Sequence, residues 1–137
     1  MRHDPVKVEE TRSWFRKAQD DLRAAAVDMG AHPPLLEDAL FHCQQAVEKA
    51  MKGFLAWHDE PFRKTHSLVE LGMACSRLDP SLESLLRKSA SLSEYATVFR
   101  YPGDAPPPTD EEAADARQMA GEVIRQILSR LPAEIGG

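Results

Sequence analysis

The sequence FHCQQAVEKAMKGFL, residues 41–55, carries the pattern that decides the fold. Its apolar residues recur at steps of three and four, which predicts an α-helix with one buried face. The same periodicity extends this helix to Leu35–Trp57, about 35 Å at 1.5 Å per residue. The apolar arc is wide, so we expect a central helix that is contacted on more than one side. Small residues at one border of the arc would let a neighbouring helix come close: Ala39, Ala46 and Gly53.

The opposite side of this helix carries a polar row, which consists of His42, Gln45, Lys49 and Lys52. Steps of three, four and three residues place the four side chains on one side of the helix. The row is either a solvated face, with Glu48 and Lys52 as an i,i+4 ion pair, or a surface that binds a ligand. His42 lies at the border of the apolar arc, where a hydrogen-bonded packing residue is more common than a ligand or a base.

Helical periodicity covers most of the remaining sequence, and no segment predicts a strand. We predict an all-α fold, a five-helix up-and-down antiparallel bundle, with helices two, four and five forming most of the core. The helical domain is expected at residues 11–132, between a disordered or extended N-terminal tail at 1–10 and a C-terminal tail at 133–137. The other predicted helices cover residues 11–29, 67–77, 80 to about 101, and 109–131.

Helix starts are marked by side chains that can accept hydrogen bonds from free backbone amides. Ser67 with Glu70, and Thr109 with Glu112, have the spacing of capping boxes. Asp79 before Pro80 has the pattern of an N-cap followed by a first-turn proline.

The composition restricts the function. The chain has 137 residues, a formal net charge of -5 and a pI of about 5.5, which argues against general electrostatic binding of nucleic acid. Cys43 and Cys75 lack framework spacing and are expected to be buried free thiols. No apolar run reaches the roughly 20 residues that span a bilayer, and the polar N-terminus is unlike a signal peptide. We therefore expect a cytoplasmic protein.

Several classes of enzyme site are absent from the sequence. It has no glycine-rich phosphate loop and no nucleophile elbow. The histidines and cysteines are scattered over separate elements, so we predict no metal site and no cofactor. Any catalytic site must be assembled by the fold or by two chains.

Two further stretches could carry function. YATVFRYPG, residues 95–103, places Tyr95, Arg100 and Tyr101 at a helix end, where arginine offers a planar fork suited to phosphate. The alternative is that Arg100 binds the last carbonyls of its own helix. The basic stretch Arg63–His66 is the other candidate, and it could equally be a loop that helps to start helix three.

Three motifs together resemble the HEPN domain family of prokaryotic proteins. They are FHCQQAVEKAMKGFLAWH, KTHSLVELG and SEYATVFRYPG, and the similarity runs from about Trp14 to Leu131. QQAVEKAMK is the most specific of these pieces. The resemblance implies a bundle of five helices, usually a homodimer, and a frequent partner in a minimal nucleotidyltransferase with which many members form toxin–antitoxin pairs.

The resemblance also implies an activity that this sequence only partly matches. Family members that are toxins are metal-independent ribonucleases with an Arg followed four to six residues later by His. No Arg here has a His at that distance, because Arg63 is only three residues before His66. The ribonuclease motif therefore cannot be transferred, and catalysis is left undecided.

The family pattern implies a binding role for His42, Gln45, Lys49, His66, Arg100 and Tyr101, and the polar row and the helix-end stretch described above add Lys52 and Tyr95. We expect a dimeric HEPN protein that works with a nucleotidyltransferase and binds nucleotide or RNA phosphate. A ribonuclease with a composite site, and a purely structural interaction module, are the alternatives. Antiparallel packing of helices two and four would bring the end of helix four to the N-terminal half of helix two. The predicted binding residues are His42, Gln45, Lys49, Lys52, His66, Tyr95, Arg100 and Tyr101.

Overall fold

Residues 3–96 and 106–136 are described by the computed structural model of this chain. All regular structure in these ranges is helical, which confirms the all-α class, with six α-helices where the sequence indicated five. Short 3-10 segments occupy Pro80–Leu82 and Ala90–Ala96. The α-helices are α1 Pro5–Gly30, α2 Leu36–Trp57, α3 Leu68–Leu78, α4 Glu83–Ser89, α5 Asp110–Leu128 and α6 Ala133–Gly136.

Both ends of the chain are more helical than the sequence indicated. α1 begins at Pro5 because Asp4 accepts a hydrogen bond from the Val6 amide and Pro5 fits the first helical turn. Residues 5–10 are therefore helical, and the prediction of a disordered or extended N-terminal tail at residues 1–10 is wrong for them. At the other end α6 forms one turn, and its Ile135 is buried against the core.

The centre of the fold is α2, as predicted. It contacts α1, α3, α5 and the 3-10 segment Ala90–Ala96, and five of its large apolar side chains are buried: Leu40, Val47, Met51, Phe54 and Leu55. The most extensive helix contact is between α2 and α1, so the prediction that helices two, four and five form most of the core is wrong in omitting α1.

The close approach of α1 depends on the small border residues of α2. Ala39 and Ala46 are completely buried. At Gly53 an added Cβ would lie 2.7 Å from Phe15 Cε2 and 2.9 Å from Trp14 Cβ. The α1 backbone therefore packs against a surface that has no room for a methyl group at this point.

The predicted fourth helix is divided into three pieces. A 3-10 turn precedes α4, and the chain returns to 3-10 geometry at Ala90. Ser89 and Ser91 donate side-chain hydrogen bonds to the carbonyls of Leu86 and Lys88, three residues earlier in each case. Such local bonds compete with the regular α-helical pattern. The part that contacts α2 is the 3-10 segment rather than α4.

The predicted caps are largely present. Thr109 and Glu112 form a complete capping box at the start of α5. The Ser67 side chain accepts from the Glu70 amide, but the Glu70 carboxylate pairs with Arg63 instead of closing the box. Both cysteines are buried and free, as expected. None of the described helices combines the length and hydropathy that a membrane-spanning segment needs.

Candidate functional site

Two residues of the polar row, His42 and Lys49, are bound to α1 through a buried carboxylate. His42 Nδ1 lies 2.8 Å from Asp21 Oδ1, and Lys49 Nζ donates to Asp21 Oδ2. Asp21 is buried on the inner face of α1. We call these three residues, Asp21, His42 and Lys49, the Asp21 network. It links one turn of α1 to two turns of α2.

The other two residues of the row, Gln45 and Lys52, belong to a network that centres on a second buried carboxylate. Glu48 is 3% exposed and accepts hydrogen bonds from Lys52 Nζ at 3.0 Å and Gln44 Nε2 at 3.1 Å. His66 Nδ1 lies 2.9 Å from the same carboxylate. Gln45 donates to the Gln44 side chain at 2.7 Å. Gln44, Gln45, Glu48, Lys52 and His66 are the Glu48 network.

The polar row is therefore not a solvated face. The Glu48–Lys52 ion pair predicted from the i,i+4 spacing is present, but Lys52 is only 8% exposed. Its ammonium lies 6.0 Å from the ring centroids of both Trp14 and Phe62, which pack edge to face. Charges that lie this far inside a fold must be paired to be tolerated.

His66 is the network member that reaches the surface. Its side chain is 72% exposed, while its Nδ1 is held by the nearly buried Glu48. A ring fixed at Nδ1 keeps Nε2 on its other side available for a ligand. The backbone around it is also fixed, because the His66 carbonyl accepts from Gln44 at 3.4 Å and the Ser67 amide donates to Thr65 Oγ1.

Exposed basic side chains lie beside His66 in sequence. Arg63 and Lys64 are both exposed, and Arg63 pairs with Glu70. The loop that carries them also holds Phe62, the ring packed on Trp14. The described structure thus combines an oriented imidazole, basic side chains and aromatic rings in one region, which are the groups that recognise phosphates and nucleobases.

The residues predicted near the end of helix four are placed differently. Tyr95 packs half-buried against the core, and burial together with the charges of Glu112 and Glu94 raises the pKa of its phenol. Arg100 and Tyr101 lie outside the described residues, so their predicted approach to His42 and Gln45 stays a prediction.

A third group of carboxylates lies at the His42 end of the row. Asp38 Oδ2 is 3.4 Å from His42 Nε2, on the side of the ring that faces away from Asp21. Burial, a hydrogen bond to Asp38 and the charge of Asp38 raise the pKa of Asp28 to about 6.

Sequence reasoning missed the acidic and amide residues that organise both networks. Asp21 lies three residues after Ala18 and four before Ala25, and both alanines are completely buried. This spacing places Asp21 on the apolar stripe of α1 and could have been recognised in the sequence. Gln44 and Glu48 likewise fall on the inner side of α2. Gln44 lies four residues after Leu40 and three before Val47, and Glu48 lies three residues before Met51; these three apolar residues are completely buried. A polar residue at an apolar position of a helical stripe is the signal that could have found all three.

Comparison with known proteins supports the fold. The chain is 27% identical over 152 residues to "Putative toxin MJ1304" of Methanocaldococcus jannaschii, with 99% of this chain and 97% of that protein covered. The crystal structure of ST0689, described as an archaeal HEPN homologue, superposes with a TM-score of 0.68 at 21% identity, over 89% of this chain and 98% of that chain. The model of the HEPN domain family matches residues 11–131. Because that match covers most of the sequence, this chain belongs to the HEPN domain family.

Proposed function

We propose that this HEPN protein acts in a toxin–antitoxin-like module, as a homodimer with a minimal nucleotidyltransferase partner, and that it binds nucleotide or RNA phosphate. The similarity to a protein named as a toxin supports the module. The binding face consists of His66, the basic loop before it and the adjoining end of the polar row. The observation that carries the proposal is the largely exposed His66, oriented by the buried Glu48.

The electrostatics of this face favour a small anionic ligand over a long duplex. Lys49 and Lys52 are already paired with Asp21 and Glu48, so the row offers little unpaired positive charge. Lys64 is exposed and forms no ion pair with the carboxylates that the structure describes, so it can turn toward a phosphate. With a net charge of -5 overall, affinity must come from a local site rather than from the whole surface.

The test compares binding and stability in the same variants. Affinity for a short single-stranded oligoribonucleotide and for ATP is measured by fluorescence anisotropy and calorimetry, and thermal unfolding is followed by circular dichroism. His66→Ala is expected to weaken binding roughly tenfold, the value of one charge-assisted hydrogen bond, with little change in melting. Lys88→Ala, exposed on α4, is the matched control. If His66→Ala binds the oligoribonucleotide and ATP with the affinity of wild type, the proposal is contradicted.

Arg100→Ala separates the two roles predicted for that residue. Weaker binding with unchanged melting supports Arg100 as a phosphate ligand of this face. Unchanged affinity with a lower melting temperature means that Arg100 binds the carbonyls of its own helix, and it removes Arg100 from the proposed site.

We propose that the homodimer forms through α3. Phe15 and most of the apolar arc of α2 are buried within the single chain. Val69 and Met73 of α3 are instead exposed, beside an apolar groove of about 570 Å³ between α3 and α4. We propose that a second copy of the chain covers this face. A mass near 15.3 kDa by light scattering at micromolar concentration contradicts the dimer.

A metal-independent ribonuclease is the second candidate, and the Glu48–His66 pair is the observation that favours it. A buried carboxylate that holds one imidazole nitrogen leaves the other to act as a general base toward a ribose hydroxyl. RNA cleavage in the presence of chelator, lost in His66→Ala and reduced in Glu48→Gln, supports this activity. Cleavage that persists in His66→Ala assigns it to a contaminant and rejects the candidate.

A further inference from the structure

Three side chains with metal-ligating atoms meet where α1 ends and α2 begins. Asp38 and His42 are an i,i+4 pair on α2, and Asp28 faces them from the last turns of α1. The donor atoms of the three all lie within 4.8 Å of one another. Two ligands from one helix turn and a third from a facing helix is a usual arrangement for metal sites in helical bundles.

The separation of the donor atoms fits a metal ion. His42 Nε2 and Asp38 Oδ2 are 3.4 Å apart. Ligands bound about 2.0–2.1 Å from a tetrahedral ion lie roughly 3.4 Å from each other. The cluster therefore needs little rearrangement to bind such an ion.

The orientation of His42 is a second and independent observation. Its Nδ1 lies 2.8 Å from Asp21, a buried carboxylate that is outside the cluster. Metal-binding histidines commonly donate their other ring N–H to a carboxylate, which fixes the tautomer and directs the free nitrogen at the metal. Here that bond turns Nε2 toward Asp38.

The third observation is an unsatisfied atom. Asp28 Oδ2 is buried and has no hydrogen-bond donor among the residues that the structure describes. With a neutral imidazole, the carboxylates of Asp21, Asp28 and Asp38 against the ammonium of Lys49 leave a formal charge of -2. A divalent cation would neutralise this charge and supply a partner for Asp28 Oδ2.

We propose that Asp28, Asp38 and His42 form a binding site for one divalent transition-metal cation, for which Zn²⁺ is the probe. Asp38 is exposed and provides the route of entry, and three protein ligands leave a coordination position open. Residue spacing alone does not predict this site, because Asp28 lies on α1 while Asp38 and His42 lie on α2. The site is independent of the proposed phosphate binding, since its own ligands are sufficient to hold the ion.

The experiment uses the full chain, stripped of metal with a chelator and then dialysed. Calorimetric titration with Zn²⁺ is expected to show one ion per chain, and Co²⁺ is expected to give the visible absorption of a tetrahedral site. Asp38→Asn, at an exposed position that should not affect folding, is expected to weaken Zn²⁺ binding at least roughly tenfold and to remove the Co²⁺ spectrum. Asp20→Asn, at an exposed position of α1, is the matched control and should keep the Zn²⁺ affinity and the Co²⁺ spectrum of wild type.

A further variant tests the role of Asp21 as the positioning residue. Asp21→Asn is expected to lower the Zn²⁺ affinity about 10- to 100-fold while the stoichiometry stays at one. The absence of saturable Zn²⁺ binding by wild type overturns the proposal and leaves a proton shared by Asp28 and Asp38 as the stabilising partner. Binding that is unchanged in Asp38→Asn also overturns it, since the ion would then be held elsewhere.

Discussion

Replacement of Gly53 by alanine tests whether the α1–α2 interface is as close as the structure describes. In a helix interior, alanine is favoured over glycine by about 1 kcal/mol. At this position the new Cβ would lie 2.7 Å and 2.9 Å from carbons of Phe15 and Trp14, distances that real Cβ atoms do not show. The Trp14 contact is to its own Cβ, so α1 itself must move. Overpacking of this kind costs about 1–3 kcal/mol or more, and we expect a net loss of about 1–2 kcal/mol.

Two other glycines provide matched controls. A Cβ at Gly72 would meet Leu86 and Met51 at 3.6 Å, and one at Gly121 would meet the flexible Arg125 guanidinium at 3.5 Å. Both substitutions by alanine should therefore stabilise the protein by about 0.5–1 kcal/mol. Urea unfolding, monitored by far-UV circular dichroism, measures the unfolding free energy of the three alanine variants. The free energy should fall for Gly53→Ala and rise for Gly72→Ala. If Gly53→Ala is as stable as Gly72→Ala, the helices are farther apart than described and the reasoning is refuted.

Two further predictions concern buried polar and thiol groups. Glu48→Gln leaves the buried Lys52 without its carboxylate and should cost about 2–4 kcal/mol of unfolding free energy, whereas Glu83→Gln, in an exposed pair with Arg87, should cost under about 0.5 kcal/mol. Combining Glu48→Gln with Lys52→Met should recover much of the loss, and a double variant no more stable than Glu48→Gln argues against the pair. Burial raises the pKa of the Cys43 and Cys75 thiols to about 12, so neither should react with a thiol reagent at mildly alkaline pH until the protein unfolds. Rapid stoichiometric labelling of the native protein would contradict this.

The sequence predicted the helices wherever apolar periodicity was strong and the ends carried caps. α2 and the start of α5 were found to within a residue, because the pattern around Leu40–Leu55 and the Thr109 capping box leave no alternative. The start of α1 was missed, since Asp4 and Pro5 stand in a polar segment with no apolar stripe. The division of the fourth helix depends on serine hydroxyls that bond to local carbonyls, and periodicity does not register such bonds.

The candidate site was predicted less completely than the fold. The cationic and amide members of the polar row were recognised because they share one side of a single helix. Their partners Asp21 and His66 come from other elements, and a carboxylate 28 residues away in sequence, as Asp21 is from Lys49, is paired only by the fold. The sequence therefore did not show that the charges of the row are largely neutralised by Asp21 and Glu48.

The burial of Glu48 in the most enclosed helix has a consequence for motion. Segments that open locally are those with few buried contacts, while residues surrounded by the core exchange only when the whole domain unfolds. The Glu48 end of the site therefore cannot rearrange without loss of the fold, and its amides should be among the slowest to exchange with deuterium. Any adjustment to a ligand is left to the loop of residues 61–64 before His66, which lies on the surface and has no fully buried side chain. The site thus consists of a rigid helical part and one adaptable loop. Ligand binding should slow amide hydrogen exchange in that loop alone.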